Sequence, residues 1–495
     1  MINDNNNSTT TSKKRKVVRS CDRININLRR NRDGTLEQIL PRQSAWFITY
    51  VQAPNIGNEK FHNRFRRRFR CQYISFQKLL NIIELDPKFN RWMSTDAAGR
   101  ESSPLCLLLL GALRYIGRGW TFDDLEENTS INEETHRQFL HVFIDWGSSV
   151  FFSSHVKYPT VAGSVANCHM TEMESCGLHG CIASTDATHI TMFRCPVLRA
   201  NEHMGSKESL PSRTYNISVN HRRQILHTTK GHPARWNDKT LAIYDEFIMG
   251  VKGGNLLADN KFQLFEKNNN GEVITRWYSG CWILCDNGYH AWPTMMSPMK
   301  DAILFTEVRW SKWLESVRKD VECTFGILKG RFRILKTGIR LHSIESVDKL
   351  WCTCCALHNF LLEEDGLAGT WYEGTVSDWE GELGNHNIID DATTTSDLSA
   401  IGSYISDKEY NNDLNETIIN NNRNDLNETN NNNNNTNNNN IYTTIINENN
   451  NPCIAIRTMQ HNEFREKLIE HFDILFTSNK LKWPTRTGTK EPDVY

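Results

Sequence analysis

The hydrophobic positions of this chain change their period along its length, and the changes divide it. From Phe61 to Ile83, Phe61, Phe65 and Phe69 recur at i, i+4 and i+8 and continue as Phe76, Leu79, Leu80 and Ile83. This spacing predicts an amphipathic helical stretch, with Arg64, Arg66, Arg67, Arg68 and Arg70 on its polar side. A second helix is expected from Pro104 to Gly119. Thr121-x-x-Asp124 and Ser130-x-x-Glu133 then read as capping boxes for a short helix and a longer one carrying Phe139, Leu140, Phe143, Ile144 and Trp146. Helix, short helix, turn, helix is the order of a helix-turn-helix unit. Glu133 and Glu134 in the first turn of its last helix would repel phosphate, although His136, Arg137 and Gln138 follow, and a purely structural helical subdomain fits the pattern as well.

After Val165 the apolar runs become short: Cys181–Ser184, Tyr215–Val219 and Cys281–Cys285. Their length and Ile/Val/Trp content suit strands, and helical patterns follow over Glu307–Lys329 and Val347–Glu363, so the middle of the chain is expected to be a mixed α/β domain. Beyond Gly366 the segment NDLNET occurs twice, and asparagine runs from Asn430 to Asn440 with one interruption at Thr436. Such a segment has too little apolar surface to offset ordering entropy and is expected to be disordered. A last amphipathic helix, about Glu463–Leu475, closes the chain and is placed to dock back on the core. The expected division is a basic disordered tail over 1–60, a helical, helix-turn-helix-like region over 61–165, an α/β domain over 166–365, an acidic, low-complexity Asn-rich segment over 366–455 and a C-terminal helix over 456–495.

Composition narrows the class. With 495 residues, 38% hydrophobic and 14 Trp, the chain has ample core for an enzyme of two or three domains. Its longest apolar run, Leu105–Leu113, is about half of the ~20 residues a membrane-spanning helix needs. The Asn-rich N-terminus lacks the apolar segment of a signal peptide, so a soluble intracellular protein without a membrane partner is expected. The 14 Cys are then reduced core residues. Cys168, His169, Cys176, His179 and Cys181 lack the paired spacing of a structural zinc site.

The net charge of −1 conceals two opposite fields. Residues 1–70 hold sixteen Lys/Arg against five Asp/Glu, whereas residues 363–450 hold two against seventeen. A basic block attracts phosphate backbones through counterion release, and an acidic tail is repelled by them, which points to a nucleic-acid partner or else to solvated tails. Lys13-Lys14-Arg15-Lys16 reads as a nuclear-import signal, so the nucleus is the expected location.

Candidate chemistry rests on three acids. Asp186 in CIASTDATHI and Asp286 in CWILCDNGY each sit where an apolar strand meets a turn, and Glu322 lies in the helical RKDVECTFGILKGRF. Taken singly, each has a structural explanation: an Asx-turn for either aspartate, and for Glu322 an ion pair with Arg318 one helical turn earlier. Together they meet the need of phosphodiester hydrolysis for two divalent ions about 3.5–4 Å apart, sharing several carboxylates. Hard oxygen ligands favour Mg²⁺ or Mn²⁺. Downstream, Lys329, Arg331, Arg333, Lys336 and Arg340 run without an intervening acid, a pattern suited to a phosphate backbone.

In order and type, CIASTDATHI, WILCDNGY, VECTFGILKGRFRIL and CALHNFLLEED resemble the blocks of the PIF/Harbinger DDE transposases, the family that includes Harbinger transposase-derived nucleases. FRRRFRCQYISFQKLL is similar to the element preceding that family's helical region, and the likeness covers about residues 61–365. It implies an α/β, RNase H-like catalytic domain with a mixed sheet, preceded by a helical DNA-binding region. It also implies metal-dependent cutting and joining of double-stranded DNA at transposon ends. Asp186, Asp286 and Glu322 would be the catalytic acids and ligands of two Mg²⁺ or Mn²⁺ ions. Arg64, Arg66, Arg67, Arg68, Arg70, Lys329, Arg331, Arg333 and Lys336 would hold DNA, with accessory roles for His189, Asp238 and Arg318. A separate Myb-like partner and a homo-oligomer on DNA are implied as well. Many members carry His-Asp between the first two acids, where this chain has Asn237-Asp238. The alternative reading is a domesticated, non-catalytic DNA-binding or chromatin-associated protein.

Overall fold

The computed structural model describes residues 28–30, 36–95, 99, 101–157, 164–205, 209–365 and 453–483. The Lys13–Lys16 signal and nearly all of the Asn-rich segment lie outside the described residues.

The helical region comprises α1 (Glu59–Phe69), α2 (Tyr73–Glu84), α3 (Leu105–Arg118), α4 (Phe122–Thr129) and α5 (Glu133–Trp146). The single stretch expected from Phe61 to Ile83 is two helices, because Arg70 ends α1 in the left-handed conformation at φ 63°. Phe61, Phe65 and Phe69 are buried as expected. The Thr121–Asp124 capping box closes reciprocally. The one expected at Ser130 does not form: Ser130 is the left-handed C-cap of α4, and Asn132 caps α5 by accepting from the Glu134 amide. In α5, Arg137 is ion-paired to both Glu133 and Glu134. His136 is buried against the Thr129 hydroxyl at 2.8 Å, and burial lowers its pKa to about 3.

The α/β region contains α6 (Ser164–Ser175), β1 (Cys181–Thr191), β2 (Ser212–Val219), β3 (Ile225–Thr228), β4 (His232–Pro233), α7 (Asp238–Tyr244), α8 (Glu246–Gly253), β5 (Lys261–Lys267), β6 (Val273–Ser279), β7 (Trp282–Leu284), β8 (Met295–Met296), α9 (Phe305–Arg331) and α10 (Ile344–Glu364). The main sheet runs β8-β7-β1-β2-β3, with β4 also paired to β2. Strands β1, β2 and β3 are antiparallel neighbours, while β7 lies parallel to β1 and β8 parallel to β7. This mixed sheet fits an RNase H-like DDE domain.

α9 packs across one face of the sheet, burying Val317, Val321 and Leu328, while Ala242, Phe247 and Ile248 of α7 and α8 pack with Ala183 and Leu226 on the other. One core joins the helical region to the α/β region, since Phe65, Leu109, Ile190, Tyr215 and Trp351 belong to the same cluster of buried residues. In α10, Cys354 and Cys355 are fully buried free thiols, as expected. Neighbouring Asn359 accepts from the Ile225 amide and donates to the Ile225 and His155 carbonyls, pinning the end strand of the sheet. The CALHNF block therefore has a packing reason.

The polar segment Lys267–Glu272 is the tip of the β5–β6 hairpin. β9 (Ile454–Ala455) joins it in parallel to β6, and α11 (His461–Thr477) docks beside β5. His471 Nδ1 accepts from the Phe265 amide at 2.9 Å, and Phe472 packs against Trp313. The C-terminal helix thus meets the expectation that it returns to the core. No helix among the described residues is long and apolar enough to cross a membrane.

Candidate active site

Asp186 lies inside β1 and not at its end, because the β-branched run Thr188, Ile190 and Thr191 continues the strand past the expected boundary. It pairs with Ile217 of β2, and its side chain is 21% exposed. Oδ1 accepts from the Ala187 amide at 2.8 Å, and Oδ2 lies 3.4 Å from Arg318 Nη1 of α9. Burial, with Asp286 and Asp238 nearby, pushes its pKa up to about 6 against the opposing pull of the Ala187 amide and Arg318.

Asp286 follows β7 and accepts from the Gly288 amide at 2.8 Å, the Asx-turn that its position after a strand allowed. Asp238 stands in the first turn of α7, whose N-cap Asn237 accepts from the Thr240 amide. A Cβ at Gly288 would lie 2.4 Å from Asp238 Oδ2 and 3.0 Å from Asp286 Oδ1, so two carboxylates fill the space a side chain would need there. Asn237 serves the helix cap, and the Asp238 carboxylate lies beside that of Asp286.

Glu322 of α9 does not join this group directly. Its Oε1 is 2.9 Å from Arg318 Nη2, the pairing that helical spacing allowed, and Glu315 Oε1 is also 2.9 Å from that nitrogen. Burial works against the Arg318 charge, but Glu315, Glu322 and Asp186 outweigh it and raise its pKa. Among the described residues no three His, Cys, Asp or Glu side chains are grouped closely enough to hold a metal ion. The donor chemistry nevertheless fits a hard divalent cation. The Gly288 cradle presents two carboxylates, and the cation between Asp186 and Glu322 is the protein's own guanidinium.

Beneath the acids, Tyr289 donates to Asn216 Oδ1 at 2.5 Å, and Asn216 donates to Thr185 Oγ1 and Asp245 Oδ2. Asp245 in turn caps α8 through the Ile248 amide. Burial and the surrounding Asp186, Asp238, Cys285 and Asp286 hold the Tyr289 phenol well above its usual pKa, so it remains a neutral donor.

Three expected site residues sit elsewhere. His189 is three positions beyond Asp186 in a regular strand, so it faces the opposite side of the sheet, where it is hydrogen-bonded to its cross-strand partner Thr214 at 2.9 Å. Arg70 and Arg331 are buried and are not surface cations; Arg331 pairs with buried Asp365 at 2.7 Å. Arg68 donates to the Tyr50 hydroxyl, and Arg66 and Arg67 are half-buried, while Arg64 is exposed. Lys329 donates to the His189 carbonyl at 3.3 Å, Arg333 is half-buried, and Lys336 and Arg340 are exposed. Periodicity and charge counting do not single out Glu315 or Gly288. The i, i+3 spacing of Glu315 and Arg318 and the Asp-Asn-Gly turn were the signals for them.

Residues 185–359 match the family model of the DDE superfamily endonucleases. The matched stretch holds Asp186, Asp238, Asp286 and Glu322, and this likeness supports a nuclease or transposase enzyme that acts on DNA. Neither a curated protein nor a solved structure matches the chain.

Proposed function

We propose that the chain is a DDE-type DNA endonuclease, a transposase of the PIF/Harbinger kind that cuts and joins phosphodiesters at transposon ends. The observation that carries this reading is the convergence of Asp238 and Asp286, beyond the C-terminal end of β7, on Asp186 in the middle of β1, close enough that the first two help raise Asp186 to about 6. Acids so placed repel one another and any phosphate, an arrangement that makes chemical sense where a cation binds.

Asp186 and Asp286, with Glu322 completing the set, would hold two Mg²⁺ or Mn²⁺ ions, and Asp238 is placed to join them. Such ions supply an activated oxygen nucleophile and charge stabilisation for the leaving oxygen. The chain's own residues orient these ligands. The Gly288 and Ala187 amides each fix one carboxylate oxygen, and the Tyr289–Asn216–Asp245 chain holds the loop after Asp286 against α8. Exposed Lys336 and Arg64, with half-buried Lys329 and Arg333, are the cations positioned to meet double-stranded DNA. A Myb-like accessory protein, a homo-oligomer on DNA and a nuclear location belong to the same proposal.

A second reading, a domesticated DNA-binding or chromatin-associated protein without catalysis, draws on Arg318, which neutralises Asp186 and Glu322. Incubation of the full chain with end-sequence DNA and Mn²⁺ separates the two. Nicking that is lost in Asp186→Ala supports the endonuclease, and tight binding without nicking supports the second reading.

A further inference from the structure

Arg318 sits at a branch point among three acids. Its Nη1 faces Asp186 on the sheet at 3.4 Å, and its Nη2 is 2.9 Å from both Glu315 and Glu322, which lie one turn to either side of it on α9. The Arg318 side chain is 9% exposed, whereas Glu315 and Glu322 are each 48% exposed. The three carboxylates are not equivalent. Asp186 and Glu322 belong to the proposed cation site, while Glu315 points from the same helix toward solvent and has no part in that set.

A divalent cation cannot engage Asp186 and Glu322 while a guanidinium is bonded to both, since two positive charges would compete for the same lone pairs. A long side chain anchored on a helix can yield by turning about its own χ angles, provided its charge keeps a partner after the move. Glu315 is that partner, already in contact and requiring no change in the helix. We propose that Glu315 is a positioning residue for metal loading: it retains Arg318 as the guanidinium leaves Asp186 and Glu322, so that these acids become available to the cation. The inference rests on the metal-carboxylate reading of the site, and it concerns a residue outside the expected acid trio.

The test is a double-mutant cycle on Mn²⁺ affinity, read from the free-Mn²⁺ paramagnetic resonance signal with the full chain at pH 7.5 and no DNA. Glu315→Gln should weaken Mn²⁺ binding by about three- to tenfold, the scale of losing one partly exposed charge partner. Arg318→Gln should strengthen binding, because no guanidinium then competes. In the Arg318→Gln background, Glu315→Gln should have almost no effect, since its role runs through Arg318. An equal loss in both backgrounds would make Glu315 a merely remote charge and overturn the proposal. If wild-type protein shows no Mn²⁺ binding that Asp186→Asn removes, the metal reading itself fails, an outcome distinct from equal losses. Glu315 is exposed and its glutamine variant should fold; unchanged far-UV circular dichroism checks this.

Discussion

Asp186→Asn should make the metal-free protein more stable, and by an amount that depends on pH. The ordinary aspartate value of 3.8 rises to about 6 in the fold, chiefly through burial. The native state therefore keeps a proton that the unfolded chain releases between pH 4 and 6. Above pH 6 the ionised carboxylate opposes folding; at about pH 3 and below both states hold the proton and the opposition vanishes. Moving from 3.8 to about 6 corresponds to about 3 kcal/mol. Asparagine is nearly isosteric, carries no charge, and retains an oxygen for the Ala187 amide. In EDTA at pH 7.5 the variant should melt above wild type by roughly 5 °C, and the difference should fall to about a fifth of that near pH 4 and to almost nothing near pH 3. Differential scanning calorimetry across that range is the assay. A variant less stable than wild type at pH 7.5, or an offset that ignores pH, would refute the electrostatic reasoning. The same substitution should abolish nicking, the trade of stability for function found where like charges are gathered for chemistry.

Three further outcomes follow from the packing. Gly288→Ala places a Cβ 2.4 Å from Asp238 Oδ2 and 3.0 Å from Asp286 Oδ1, so nicking should slow by about 100-fold with circular dichroism unchanged. Asp365→Ala leaves the buried Arg331 charge without its carboxylate and should cost about 3–5 kcal/mol in denaturant unfolding. Lys336→Ala, at an exposed position, should lower the slope of log binding constant against log salt by about 1 in a DNA titration, whereas the buried Arg331 should contribute nothing to that slope.

The strands β1, β2 and β7 were legible in the chain through their apolar runs, although β1 continues beyond its run to Thr191, and the apolar face of α1 was written in Phe61, Phe65 and Phe69. Local signals misled where two meanings share one residue type. Ser130 looked like a helix start, but its left-handed backbone ends the preceding helix, and Asn132 takes the cap. Charge counting placed Arg70 and Arg331 on a DNA-facing surface, although each lies inside the core and Arg331 finds Asp365 thirty-four positions away. His189 seemed close to Asp186 in sequence, yet the two-residue period of a strand turns it to the other face. The inclusion of Asp238 with Asp286 depends on how α7 meets the loop after β7, a long-range contact without a local signature. Glu315 was visible as a helical neighbour of Arg318, but only the fold brings Asp186 to the same guanidinium.

The most direct test is a crystal of the full chain soaked in Mn²⁺, with an anomalous difference map calculated at the manganese edge. A peak bounded by Asp186 and Asp286, with Arg318 withdrawn from Asp186, is the expected result. A map with no peak at these acids under saturating Mn²⁺, or with its only peak remote from them, would contradict the claim that they form a cation-dependent nuclease site.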